Sequence, residues 1–469
     1  MITSKNFWTF AVSFLVALLI SACSHSPTHV TSNTPEAVFT VQAEGQRAMV
    51  RVVTRAAACP DIAWDGKAPQ RMRQRAAPAT PRVRQDSGQA DNKAAVFDVL
   101  TCEAAWAQGV AYAEVAGHRL SAPASEIRRI VIVADTGCRM KASENAFQDC
   151  NDAAKWPFAQ IAQSAAALKP DLVIHIGDMH YRESPCPTSN AGCAKAEWGY
   201  GFDAWQADFF KPARPLLGAA PWVFVRGNHE SCFRAGQGWF RFFDAQAWSE
   251  ARSCNDAIND TDADYTEPYA LPIAKDTQLV IFDSSKTSGK AFAQADPAYG
   301  KYVAQLKQVE QLTQQKPSSF FLSHHPLLAF APAASAEQIK SGGNAGLVSV
   351  FGTLHPQRLF PTGVSVAMHG HVHLFQAISF QSDHPTSLIM GNSGSANEGF
   401  APKNVPTGSV AIQHAVIADY ASRSDYGFAT LDRVGSTTQS DWLLTEYSTK
   451  GVPVIQCKLT GAKSLCVKV

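Results

Sequence analysis

From residue 130 onward, short apolar runs recur at 130–134, 172–176, 222–225, 279–282, 320–322 and 364–368. They are brief and continuous, as strands buried on both faces are. Between successive runs, 156–168, 202–217 and 302–314 carry apolar residues at helical spacing. The alternation predicts α/β layers, and in such sheets ligands gather at the carboxyl ends of the strands. Upstream the period shortens: 38–41 and 49–53 alternate like strands, and 96–115 gives extended or mixed signals. The segment 76–92, rich in Ala, Pro, Arg and Gln, reads as a loop. A small N-terminal β-rich module over 37–125, with a flexible insert, is therefore expected. No repeat of solenoid or propeller length is present.

The first residues read as a targeting signal. Lys5 precedes an apolar stretch from Phe7 to Ile20, followed by Ser21-Ala22-Cys23, a pattern similar to a bacterial lipoprotein cleavage site. On this reading 1–22 is the signal peptide, Cys23 carries the lipid, and 23–36, rich in Ser, Thr, His and Pro, is a tether. The alternatives are a signal cut elsewhere or an uncleaved anchor helix, for which the run is short against the roughly 20 residues of a span. The protein is expected to be exported and lipid-anchored to the cell envelope, its membrane contact running through that lipid. In a Gram-negative source Ser24 would favour the outer membrane.

Setting Cys23 aside leaves ten of eleven cysteines, an even number that suits disulfides in an exported chain. Neighbours in sequence suggest Cys59 with Cys102, Cys138 with Cys150, Cys186 with Cys193, Cys232 with Cys254, and Cys457 with Cys466, although sequence does not fix the connectivity. The rival, thiolate metal ligation, lacks any C-x-x-C pair. The 469 residues, 46% hydrophobic, suffice for a large core and satellite modules. A formal charge of +1 with 17% charged residues argues against nucleic-acid binding and for a small or locally charged substrate.

Five of the apolar runs end in side chains that bind metals: Asp135-Thr-Gly137, Gly177-Asp178-Met-His-Tyr181, Gly227-Asn228-His229-Glu230, His324-His325-Pro326 and His369-Gly370-His371-Val372-His373. Imidazole, carboxylate, amide and phenolate donors together suit a hard or borderline metal pair, which can hold the attacking and leaving oxygens of a phosphoryl transfer. Singly, Asp135 or Asp178 would more often be a cap or turn residue; their places after strands favour the functional reading.

In this order the blocks resemble the calcineurin-like metallophosphoesterases, whose pattern D-x-G, G-D-x-x-Y, G-N-H-E/D, H-x-P, G-H-x-H is complete here between Asp135 and His373. The tyrosine narrows the resemblance to the purple acid phosphatase branch. It covers roughly 126–435, implying a catalytic domain of two sheets sandwiched between helices. The stretch from Ser387 to Gly394 looks like the strand and glycine-rich turn that follow the last block in relatives. Residues 426–431 and 442–447 then look like closing strands, with 436–469 as a C-terminal segment.

The resemblance implies a ligand set. Asp135, Asp178, Tyr181 and His373 would hold the first ion, and Asp178, Asn228, His324 and His371 the second, with Asp178 as the bridge. Many relatives outside the purple branch place a histidine where this chain has Gly137; Tyr181 would supply a phenolate instead, since trivalent iron can stabilise a phenolate far below the free phenol's pKa of about 10. Iron with zinc, manganese or a second iron is the implied pair. If Tyr181 merely packs at a loop, two divalent ions become the better expectation. His229 would face substrate, protonated, and stabilise the developing charge or donate to the leaving oxygen while a metal-activated water attacks phosphorus. Glu230 either orients or tunes His229 or is a solvated or ion-paired glutamate. His325 either points into the pocket or packs. His180 and Arg182 flank the tyrosine and could contact phosphate, though a surface place is the simpler expectation. Asp283 is expected to be structural, and His369 to stand behind the ligands or in the core rather than to be a ligand.

The implied activity is hydrolysis of phosphomonoesters on a phosphorylated small-molecule or phosphoester substrate. A phosphodiesterase or nucleotidase on the same core is the second enzyme reading, and a surface-binding lipoprotein that lost its chemistry is the third.

Overall fold

Period-two alternation along the strands explains how the layers stack. In Arg129–Val133, Ile130 and Ile132 face one side, Val131 and Val133 the other, and all four are fully buried. The isoleucines join Ile174, Ile176, Val223 and Val225 in a core shared with Leu279, Phe320, Val366 and Leu388 of a second sheet. The valines pack with Val173 and Phe224 against Phe158, Ile161, Phe209 and Phe242 of a helical layer. Beyond the second sheet, Val280, Phe321 and Ile389 meet Tyr302, Leu306, Val350 and Phe351 of the helices Pro297–Thr313 and Ala345–Leu354. The result is a four-layer α/β sandwich. Burying each such side chain contributes about 1.5–3 kcal/mol, so the strand ends that carry the five blocks rest on a core packed from both sides.

This computed structural model describes residues 34–82, 84, 92–412, 414–435 and 440–469. The expected signal peptide, Cys23 and nearly all of the expected tether lie outside the described residues. Among the described residues no helix is long and apolar enough to cross a membrane.

The first sheet has 11 strands. Arg129–Val133, Leu172–Ile176 and Trp222–Val225 run parallel at its centre. Gly427–Gly435 pairs antiparallel with Arg129–Val133, and three further strands from Ser440 to Lys468 follow as hairpins. On the other flank Val41 pairs in parallel with Trp222, so Ala37–Gln42, Ala48–Thr54, Leu100–Ala105 and Arg73–Ala76 extend the same sheet. The rest of the strand-rich N-terminal region is a four-stranded sheet whose Ile62, Trp64 and Val115 pack on Val50 and Val52. The second sheet has 8 strands, with a parallel centre of Thr277–Ile281, Ser318–Leu322, Val364–His369 and Thr386–Met390.

Two differences from the sequence expectation matter for the site. The helix expected over 202–217 is interrupted by a π-helical turn at Gln206–Phe210, a geometry that often marks functional places. His180 and Arg182 are buried, not on the surface. His180 packs against Trp205, ring centroids 5.0 Å apart, and Arg182 lies over Trp156 while its Nε donates to Asp208 at 2.9 Å. The five disulfides are those suggested by sequence neighbours, and they suit an oxidising compartment.

Candidate metal centre

Each sheet delivers part of the site from its strand ends. Asp135, Asp178 and Asn228 follow the three parallel strands of the first sheet; His324, His371 and His373 follow two strands of the second. The turns are tight. Asp135, Asp178 and His371 have φ of 53°, 56° and 67°, a left-handed conformation unusual away from glycine and concentrated at functional sites. Gly177, at φ 84°, can meet this demand without a side chain, and a Cβ there would collide with His324 and Gly227.

The turn that presents Asp178 is clamped by Glu230. Its Oε2 accepts from the amides of Asp178 (2.9 Å) and Gly227 (3.0 Å), and its Oε1 from those of Met179 (2.9 Å) and His180 (3.1 Å). Glu230 is fully buried, so it is not a solvated glutamate; its bonds orient the backbone around Asp178, and none of them is to the His229 ring.

All seven expected ligand side chains converge. The Tyr181 hydroxyl lies 3.0 Å from Asp135 Oδ1, 2.9 Å from Asp178 Oδ2 and 2.8 Å from His373 Nε2. Asp178 Oδ2 is also 3.0 Å from His324 Nε2, so one carboxylate oxygen faces both groups of ligands. Ligand atoms of Asp178, His324 and His371 lie within 4.8 Å of one another, and His371 Nδ1 is 3.2 Å from Asn228 Oδ1. The backbone fixes two rings: His324 Nδ1 donates to the Ile176 carbonyl at 2.8 Å and His373 Nδ1 to that of Ala396 at 2.7 Å, which turns both Nε2 atoms inward.

This arrangement fits cations. A phenol has one hydrogen to give, yet Tyr181 faces two carboxylates and an imidazole. His324 Nε2 is buried and faces Asp178 Oδ2, the oxygen already shared with Tyr181. The electrostatics agree: burial disfavours a charged His324, but Asp178 and Asp135 outweigh it and push the ring up to about 9, a proton taking the place of a positive ion. Burial and the same two carboxylates hold the Tyr181 phenol well above its ordinary value; a bound cation would supply the opposing charge.

Gly137 also has a structural reason. A Cβ there would meet Asp208 Oδ2 at 2.6 Å and the Tyr181 amide nitrogen at 2.8 Å. Asp208, from the π turn, accepts from the amides of Cys138 (2.7 Å) and Tyr181 (2.6 Å) and pins the first two blocks together.

His229 lies over the Tyr181 ring at 3.9 Å between centroids, with Nε2 3.9 Å from Asp178 Oδ2. Its Nδ1 is 2.6 Å from Glu183 Oε1, and Arg234 Nη2 lies 2.7 Å from Nδ1. Burial, then Arg234, lower its affinity for a proton, against Asp178 and Glu183. Sequence reasoning missed Glu183, Arg234 and Asp208, for which spacing and periodicity offer no signal. His325 packs its ring 4.2 Å from that of His371, with Nδ1 3.0 Å from Ser284 Oγ. His369 bonds Ser323, and Asp283 accepts from the Thr266 and Ser285 amides.

Residues 128–375 match the calcineurin-like phosphoesterase family. Among solved structures, the chain is similar to a purple acid phosphatase, PPD1, from yellow lupin (Lupinus luteus) seeds, with 16% identity and a TM-score of 0.55 over 94% of this chain and 75% of that one. It is also similar to PhoD, with 11% identity and a TM-score of 0.50 over 94% of each chain. At these identities the likeness is one of fold. No curated protein sequence matches the chain.

Proposed function

Because the chain belongs to the calcineurin-like phosphoesterase family, we propose that it is a metal-dependent phosphomonoesterase of the purple acid phosphatase type. Asp135, Asp178, Tyr181 and His373 would hold one ion, and Asp178, Asn228, His324 and His371 the other. The ions would supply an activated water and offset the charge of the phosphate. The observation that carries this reading is Asp178 Oδ2, which stands 2.9 Å from the Tyr181 hydroxyl and 3.0 Å from His324 Nε2 and so belongs to both ligand groups.

The chain's own residues do the rest. His229 stands with Nδ1 against Glu183 and Nε2 3.9 Å from Asp178 Oδ2, shared with Arg234 Nη2 at 3.0 Å, and from there would give a proton to the leaving oxygen. Glu230 and Asp208 hold the turns, so that the ligands need little rearrangement when the site is loaded. A tyrosine as the terminal oxygen donor favours a ferric ion at the first position, with zinc, manganese or iron at the second. A phosphorylated small molecule is the substrate class, and export with a lipid at Cys23 would place the reaction in the cell envelope.

The test is hydrolysis of an aryl phosphomonoester and an aryl phosphodiester by the metal-loaded chain and by its Asp178→Ala and Asn228→Ala variants. The expected result is monoester turnover lost in both variants with the fold intact. Turnover that survives in either would overturn the assignment, and a wild type that hydrolyses neither ester would favour a binding protein.

A further inference from the structure

We infer that Arg234 binds the phosphoryl group and selects dianionic phosphomonoesters over diesters, an inference that rests on the phosphoesterase reading above. Arg234 belongs to none of the five blocks. It follows Cys232, whose disulfide to Cys254 ties down its loop, and its amide donates to the Ser231 carbonyl at 2.9 Å while Ala235 N donates to His229 O at 3.0 Å. The guanidinium is therefore fixed beside the one histidine that faces the ester.

Its contacts are lopsided. Nη2 lies 2.7 Å from His229 Nδ1 and 3.0 Å from Nε2, and it pairs with Glu183. Nε is buried without a hydrogen-bond partner. A buried N–H donor left unmade is costly unless something else completes it. The carboxylate that Arg234 meets is not its own either: Glu183 Oε1 also stands 2.6 Å from His229 Nδ1, while its Oε2 stands 2.5 Å from Lys141 Nζ and 3.2 Å from the Tyr200 hydroxyl. With 15% of its side chain exposed, Arg234 is not sealed from solvent.

The chemistry of the ligand suits a guanidinium at this place. A phosphomonoester carries three non-bridging oxygens and two charges; a diester carries two and one. An arginine fork one imidazole's width beyond Asp178 can take the additional oxygen of the monoester through parallel N–H donors. A diester presents an alkylated oxygen there, which leaves the fork unsatisfied and an organic group against a charge.

The experiment is calorimetric titration of inorganic phosphate and of dimethyl phosphate into the metal-loaded full chain, its Arg234→Gln variant and its Arg234→Lys variant, each checked for metal content and circular dichroism. The wild type is expected to prefer phosphate. Arg234→Gln should weaken phosphate about ten- to a hundredfold, the value of a charge-assisted hydrogen bond, and dimethyl phosphate by less than about threefold; Arg234→Lys should fall between. Equal weakening of both ligands would reduce Arg234 to a positioning residue for His229 and overturn the inference, as would no weakening at all. If Arg234→Gln does not fold, the lysine variant decides on the same criterion. A wild type that shows the Arg234-dependent preference but hydrolyses no ester would sustain the binding inference and sink the hydrolase reading. Hydrolysis with a preference indifferent to Arg234 would do the reverse.

Discussion

Glu230→Gln asks whether a buried carboxylate sets the position of Asp178. Glu230 accepts four backbone amides, two on each oxygen, at 2.9–3.1 Å. Glutamine has one acceptor oxygen. In either orientation it strands a pair of amides, Asp178 with Gly227 or Met179 with His180, and points its own NH2 at them. A buried amide left unmade costs about 1–3 kcal/mol, so the pair costs about 2–6 kcal/mol, a large fraction of the 5–15 kcal/mol typical of a native protein. The strained turn at Asp178, φ 56°, would relax and draw Oδ2 away from Tyr181 and His324. Urea unfolding should show the loss of stability, and elemental analysis should show less bound metal per chain than in wild type. Burial and the neighbouring Asp178 push Glu230 up to about 8, but only the ionised form can accept all four donors, and it is on this form that the magnitude rests. A variant as stable as wild type to within about 0.5 kcal/mol, with full metal content, would mean that Glu230 carries a proton and does not clamp the turn.

Three other outcomes are expected. Tyr181→Phe removes the oxygen between Asp135, Asp178 and His373, so the first ion should bind more weakly and any visible phenolate absorption should vanish, as spectroscopy with metal analysis will show. Gly137→Ala drives a methyl group to 2.6 Å from Asp208 Oδ2 and 2.8 Å from the Tyr181 amide; thermal unfolding should register a cost of about 1–3 kcal/mol, and unchanged stability would mean that the two loops are free to part. Glu446 is fully buried, and that burial, against Asn392 and Arg423, pushes it up to about 8. The folded state then keeps a proton that the unfolded chain releases, so stability should decline as pH rises between about 5 and 8, by at most about 1.4 kcal/mol per unit. Glu446→Gln should flatten that slope, and a slope unchanged in the variant would assign it elsewhere.

The ligand side chains were legible because they follow apolar strands directly, where one chain segment fixes both the strand and the residue at its end. The supporting charges were not. Asp208 sits inside a stretch of helical spacing, and only the π turn at Gln206–Phe210 aims its carboxylate at Cys138 and Tyr181. Glu183 and Arg234 lie in segments without periodicity and meet across His229 only once the sheet brings Leu172–Ile176 beside Trp222–Val225. Glu230 was visible, but it turns back on a loop from the neighbouring strand, a contact that spacing does not encode. Among the strands, Phe375–Phe380 and Ala415–Arg423 escaped because polar and apolar residues mix along them; they pair with each other at the side of the second sheet away from its parallel centre.

The central claim, that Asp178 bridges a metal pair used for phosphoester hydrolysis, is tested most directly by measuring bound metal and hydrolysis of an aryl phosphomonoester on one sample of wild type and of Asp178→Ala. The account predicts a metal pair and turnover in wild type and the loss of both in the variant. A wild type that binds no metal after repletion, or a variant that keeps both ions and turns over, would contradict it.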